Sequence, residues 1–338
     1  MHIFVWAKYI FLTIIGLFLI FFVLSWTHIY KPSELEYGLT FSSKQSQDLG
    51  LDWKNVFLAM LDDLNVKKLR LSAYWDELQA NKEIYNWDEL DWQINEAEKR
   101  NVELVIVVGQ KAPRWPECHI PEWAKTASEA DRQAATLSYI KETISRYKNR
   151  ASVRYWQVEN EPFLKYFGDC PVFDKNFLDK EIAEVKSLDT RPIIITDSGE
   201  LSLWIPAAKR ADIFGTTMYR DTYSKFFNSY IHYPIGPVFF RVKKNIANIF
   251  AQPQDWIVIE LQGEPWGKKA FQTLSQQERD QTMTPAKFND MLSFIQKTGF
   301  KTFYWWGVEF WYWEKTVNNN PFYWDTAKKL FQHTYEQQ

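Results

Sequence analysis

From residue 37 onward the chain repeats one unit, a short run rich in β-branched and aromatic residues followed by a segment with apolar residues at helical spacing. The β-rich runs cover 37–41, 68–72, 104–109, 153–159, 193–196, 213–217, 256–260 and 302–306. Between them, Leu90, Ile94 and Ala97, then Leu137, Ile140, Ile144 and Tyr147, then Phe288, Leu292 and Ile295 fall on single helical faces. Thr284-Pro285 reads as a capped helix start, and Gly299 as the stop of the same segment. Strands this apolar are buried on both sides, as in parallel sheets covered by helices. Eight such β-then-α units predict an α/β fold, a (β/α)8 barrel over 31–338. A doubly wound open sheet is the alternative. Thr40-Phe41-Ser42-Ser43-Lys44, after the first run, has no glycine, which argues against a nucleotide-binding version of that sheet. No repeat, low-complexity tract or linker marks a second globular domain.

A chain of 338 residues, 46% hydrophobic and 24% charged, has ample material for one large core. Its 40 basic residues are balanced by 42 acidic ones, so it lacks the basic footprint of a nucleic-acid binder. The 17 Trp, 17 Tyr and 25 Phe exceed what a core this size needs, and some are expected to line an open groove suited to sugar rings. His2, His28, His119, His232 and His333 are scattered, and Cys118, His119 and Cys170 form no paired ligand motif, so no metal and no cofactor is expected. The chain reads as a monomer.

Residues 1–30 stand apart. The stretch 9–26 carries no charge and as a helix would reach roughly 27 Å, close to a bilayer's hydrocarbon thickness. Lys8 precedes it, and Trp26 and Tyr30 follow as interfacial aromatics. Phe22-Val23-Leu24-Ser25-Trp26 offers no small-x-small cleavage site. The expectation is an uncleaved N-terminal transmembrane helix with the barrel held outside the cytoplasm, the alternative being a signal peptide and a secreted domain.

In a barrel of this kind functional side chains project from the C-terminal strand ends. There the sequence places Arg70 with Trp75 (strand two), Asn160-Glu161-Pro162 (strand four), Tyr219 (strand six), Glu260 (strand seven) and Trp305-Trp306 (strand eight). Consecutive strand residues face opposite ways, so at most one of the last pair looks into the mouth. This set resembles clan A of the glycoside hydrolases, the retaining glycosidases that include cellulases, xylanases and β-galactosidases. The resemblance implies that Glu161 is the acid/base, Glu260 the nucleophile, and Arg70, Asn160, Tyr219 and Trp305 substrate-binding residues, with Asn160 on the sugar 2-hydroxyl. Where some cellulase-like members carry histidines on strands three and six, this chain has Gly109-Gln110 and Met218.

The chemistry stands beside the resemblance. Retaining cleavage requires one carboxylic acid to protonate the leaving oxygen and a second carboxylate about 5 to 5.5 Å away to attack the anomeric carbon. Pro162 is expected to keep Glu161 out of helical dihedrals. Glu159, Glu200, Glu264 and Glu309 compete for the same roles, with Glu264 expected to meet substrate or solvent in a loop. Trp75, Trp115 and Trp266 follow strand ends and are expected to be sugar platforms. Cys118 and Cys170 lie in neighbouring rim loops and form a disulfide candidate. The function expected is hydrolysis of a β-linked poly- or oligosaccharide. A transglycosylase, and a non-catalytic glycan-binding barrel at the cell surface, remain as alternatives.

Overall fold

The computed structural model describes residues 2–335. Its barrel strands are β1 (Glu36–Phe41), β2 (Lys68–Ser72), β3 (Glu103–Val108), β4 (Val153–Val158), β5 (Ile193–Asp197), β6 (Ile213–Met218), β7 (Asp255–Gln262) and β8 (Thr302–Trp306). They pair in parallel, and β8 pairs with β1 from Glu36↔Thr302 to Thr40↔Trp306, which closes the ring and excludes an open sheet. The architecture is an eight-stranded parallel (β/α)8 barrel.

Strand alternation divides the apolar residues into two cores. Leu69, Leu71, Leu104, Ile106, Val108, Trp156, Val158 and Phe303 belong to the large core between barrel and helices. Val105, Ile194, Ile213, Ile257, Ile259 and Tyr304 form a separate cluster inside the barrel. Arg70 lies between Leu69 and Leu71, and Gln157 between Trp156 and Val158, so the same alternation turns both polar side chains inward.

On β7 simple alternation would place Glu260 outside, since Ile259 faces in. The register shifts here against both neighbours: Thr216↔Val258 is followed by Thr217↔Glu260, and Phe303↔Val258 by Trp305↔Leu261. One extra residue resets the phase of the strand. Leu261 returns to the outer core, and Glu260 enters the barrel mouth.

Helix Pro285–Ile295 starts as the sequence predicts, with the Thr284 hydroxyl accepting from the Lys287 amide. Beyond the eight units, an antiparallel hairpin, Asp221–Ser224 with Ser229–His232, rises from the end of β6. It was not predicted, its runs being short and polar.

Helix His2–Ser25 forms, and its C-terminal end docks on helix Pro237–Phe250, where Asn245 donates to the carbonyls of Leu24 (2.6 Å) and Trp26 (2.8 Å). Among the described residues, however, no helix is long and apolar enough to cross a membrane, so the expected transmembrane helix is not supported. Trp26, counted into the charge-free stretch, lies beyond the helix end.

Candidate active site

Glu161 and Glu260 reach the same end of the barrel from β4 and β7, strands separated by β5 and β6. Arg70, fully buried, joins them from below. It donates from Nη1 to Glu260 Oε1 (2.9 Å), from Nη2 to Asn160 Oδ1 (2.7 Å) and from Nε to Gln157 Oε1 (2.8 Å). A guanidinium's rigid fork suits three acceptors converging in one plane. The Tyr219 hydroxyl donates to the other oxygen, Glu260 Oε2, at 3.1 Å. Thr217 stands opposite Glu260 in the β6–β7 register, and its hydroxyl donates to Glu161 Oε1 at 3.2 Å. Thr217 thus bonds the Glu161 carboxyl from the register position beside Glu260, and Arg70 bridges Glu260 to Asn160, the residue before Glu161.

Their electrostatic settings differ. Glu260 has a direct cationic partner in Arg70. Burial, and then the charge of Glu260, push the Glu161 carboxyl well above the ordinary range. Lys111 tempers this without an ion pair to the carboxylate, because its Nζ donates to the backbone carbonyls of Glu161 (3.1 Å) and Leu164 (3.2 Å).

The turn that presents Glu161 is strained, with Glu159 at φ 59° and Glu161 at φ 44°. Glu161 stays out of the right-handed helical region, as Pro162 predicts, and takes the left-handed one. Buried hydrogen bonds hold the turn. The Glu161 amide donates to Thr196 Oγ1 (2.7 Å), and Glu159 accepts the amides of Gln110 (2.7 Å) and Lys111 (2.6 Å). Gly109 makes room for this: a Cβ there would stand 2.5 Å from Glu159 Oε1.

Behind Glu159, Glu181 of helix Lys175–Leu188 is buried at a small cavity, and burial with the charge of Glu159 raises its carboxyl well above the ordinary range. Such a group contributes stability that is full below the ordinary glutamate range and is lost as pH rises through its elevated folded value. The loss should run at about 1.4 kcal/mol per pH unit between the ordinary glutamate range and that elevated value, and level off above it. Urea unfolding at about pH 6 and about pH 9 should show a smaller alkaline loss for Glu181→Gln than for the wild type. An unchanged pH dependence would refute the raised carboxyl of Glu181.

Several expected platforms are placed elsewhere. Trp305 faces away from the mouth, stacked on Phe288 at 4.7 Å, because alternation gives Tyr304 and Trp306 the inward positions. Trp75 is fully buried, stacked on Tyr139 at 5.6 Å with its Nε1 donating to Gln79. Both are core residues. Trp115 is 65% exposed on the rim. Trp266 sits edge-on to Tyr219 at 5.1 Å, beside the catalytic candidates. Cys118 and Cys170 are joined in a disulfide that ties the loops after β3 and β4.

Other residues at the site were not foreseen. Glu117 is buried beside Asn160, whose Nδ2 donates to its Oε2 at 3.3 Å, and burial pushes its carboxyl up to about 8. The sequence drew attention to Cys118 and passed over its neighbour. Glu264 and Glu309 are buried rather than solvated, both paired to Arg114, and Trp306 donates to Glu264 Oε1 at 2.7 Å. Glu200 accepts the Tyr219 amide at 2.9 Å. Among the described residues no cluster of His, Cys, Asp and Glu is arranged to hold a metal ion.

The family model for the TIM barrel domain of glycosyl hydrolases family 2 matches residues 48–248, more than half of the chain. The chain belongs to this family. It is a glycosidase of the clan A type. No curated protein matches it. Among solved structures it is similar to a GH5_18 protein from Bifidobacterium longum subsp. infantis, at 15% identity and a TM-score of 0.55, over 80% of this chain and 69% of that one. It is similar to xylanase 10B from Thermotoga maritima at 14% identity and a TM-score of 0.56, over 91% and 98%. The cold-adapted β-galactosidase from Rahnella sp. R3 matches at 11% identity and a TM-score of 0.61, covering 90% of this chain and 56% of that one. At these identities the likeness is one of fold.

Proposed function

We propose that this glycosidase cleaves a β-glycosidic bond with retention, by double displacement, with Glu161 as acid/base and Glu260 as nucleophile. The observation that carries the reading is the asymmetric partnering of two carboxyl groups at one barrel mouth: Glu260 is ion-paired to Arg70, while burial and then the charge of Glu260 push Glu161 up. In the first step a Glu260 oxygen attacks the anomeric carbon, and the glycosidic oxygen leaves with the proton of Glu161. Ester formation removes the charge that raised Glu161. Its carboxylate then takes a proton from water, whose oxygen displaces Glu260 and restores both groups. Asn160, oriented by Arg70, is placed to meet the sugar 2-hydroxyl, and Trp266 with Trp115 to support further sugar units of a poly- or oligosaccharide.

The sign of the pH dependence follows. Glu161 must be protonated for the first step, so turnover of glycosides with poor leaving groups should persist through neutral pH and fall as pH rises through its elevated value. With a dinitrophenyl leaving group, which needs no acid, Glu161→Gln should give a burst followed by slow turnover, and the alkaline limb should vanish. If the variant kept that limb, Glu117, whose carboxyl lies at about 8, would be the titrating group instead.

The N-terminal helix supports a location. Its side chains are largely exposed and apolar, Phe18 at 66%, and Ile249 at 65% and Phe250 extend the apolar surface on the helix it docks against. We place this surface on a lipid membrane with the barrel outside the cytoplasm, where the Cys118–Cys170 bond persists.

A further inference from the structure

The segment 111–119 leaves the end of β3 and crosses the barrel mouth instead of turning directly to its helix. Arg114, in the left-handed region at φ 84°, reaches the loops after β7 and β8. Its guanidinium pairs with Glu264 and, at 2.7 Å, with Glu309, and lies 4.0 Å over the ring of Trp306. Glu309 also accepts the Ser42 amide from the end of β1 at 2.6 Å. The Tyr74 hydroxyl stands 2.9 Å from both Ser42 Oγ and the Pro113 carbonyl. Three loops and the strap are thus locked together by buried charge, and the disulfide at Cys118 ties the strap's far end.

The position of this lock matters because the two sides of the cleft are not equivalent. A leaving group protonated by Glu161 departs over the β4 side of the ring. The sugar bonded to Glu260 therefore extends the other way, toward β8 and β1. There the strap stands across the path, and Arg114 covers one face of Trp306. Two polar atoms in the lock are unspent: Glu264 Oε2 and Arg114 Nε are buried without a hydrogen-bond partner. A buried carboxylate oxygen left so is costly unless a donor completes it.

We infer that the strap pinned by Arg114 closes the glycon side of the cleft after one sugar, so that the enzyme removes single residues from chain ends, and that Glu264 Oε2 accepts a hydroxyl of that terminal sugar. The inference rests on the glycosidase reading above and assigns to Arg114 and Glu264 the selection of glycon length.

The test uses the full chain with 4-nitrophenyl β-monoglycosides and the matching 4-nitrophenyl β-disaccharides, products being resolved by chromatography. The wild type should release monosaccharide from both and no intact disaccharide. Glu264→Gln, which keeps the shape, should raise KM about tenfold to a hundredfold with a smaller change in kcat. Arg114→Ala combined with Glu264→Gln and Glu309→Gln leaves no buried charge unpaired, and should begin to release intact disaccharide. Intact disaccharide released by a fully active wild type would overturn this inference alone, as would an unchanged KM in Glu264→Gln. A wild type that cleaves none of these glycosides would overturn it together with the glycosidase reading.

Discussion

Glu260→Ala should lower kcat by on the order of 10⁴-fold or more while leaving the barrel folded. The loss is this large because the carboxylate forms the covalent bond of the intermediate, and no other group takes its place opposite Thr217. Azide fits the space left by the side chain. It should restore turnover of an activated aryl β-glycoside and give the α-glycosyl azide, since attack from the Glu260 side then occurs in a single displacement. Glu161→Ala should give the β-azide, because there the azide intercepts the glycosyl-enzyme from the opposite face. The two product configurations, read by proton NMR, assign the roles separately.

Arg70→Met should destabilise the protein by about 3–5 kcal/mol, the cost of removing one partner from a buried charge pair. Three acceptors lose a charged donor at once: Glu260, Asn160 and Gln157. Arg70→Lys should recover little, because a single ammonium cannot satisfy three acceptors held at the tines of a fork. Urea unfolding measures the loss. Equal stability of Arg70→Met and the wild type would mean that Glu260 is solvated or protonated in the free enzyme.

Much of this site was legible in the sequence because it depends on local pattern. Strand ends can be located from β-rich runs, and Arg70, Asn160, Glu161, Tyr219 and Glu260 all lie at strand ends that the structure brings to one rim. What was not legible depends on phase or on distant pairing. Trp305 and Trp306 are adjacent, and only the inward placement of Tyr304 decides which of them meets the mouth. The bulge that turns Glu260 inward shows itself only against the neighbouring strands, and by simple alternation this residue would have been assigned to the outer face. Arg114 meets Glu264 and Glu309 across 150 and 195 residues, pairings that no local spacing encodes. Trp75 follows a strand end as a platform would, yet its partner Tyr139 comes from helix Glu129–Tyr147, 64 residues further on. The N-terminal helix ends one residue before the charge-free stretch does, because Trp26 prolongs the stretch but not the helix.

The most direct test of the central claim is covalent trapping. Incubation with a panel of 2-deoxy-2-fluoro-β-glycosyl fluorides slows the second displacement, so that the glycosyl-enzyme accumulates and its peptide can be sequenced by mass spectrometry. The account predicts a single fluoroglycosyl ester on Glu260, abolished in Glu260→Ala. A label on Glu161, Glu117 or Glu264 instead would contradict it.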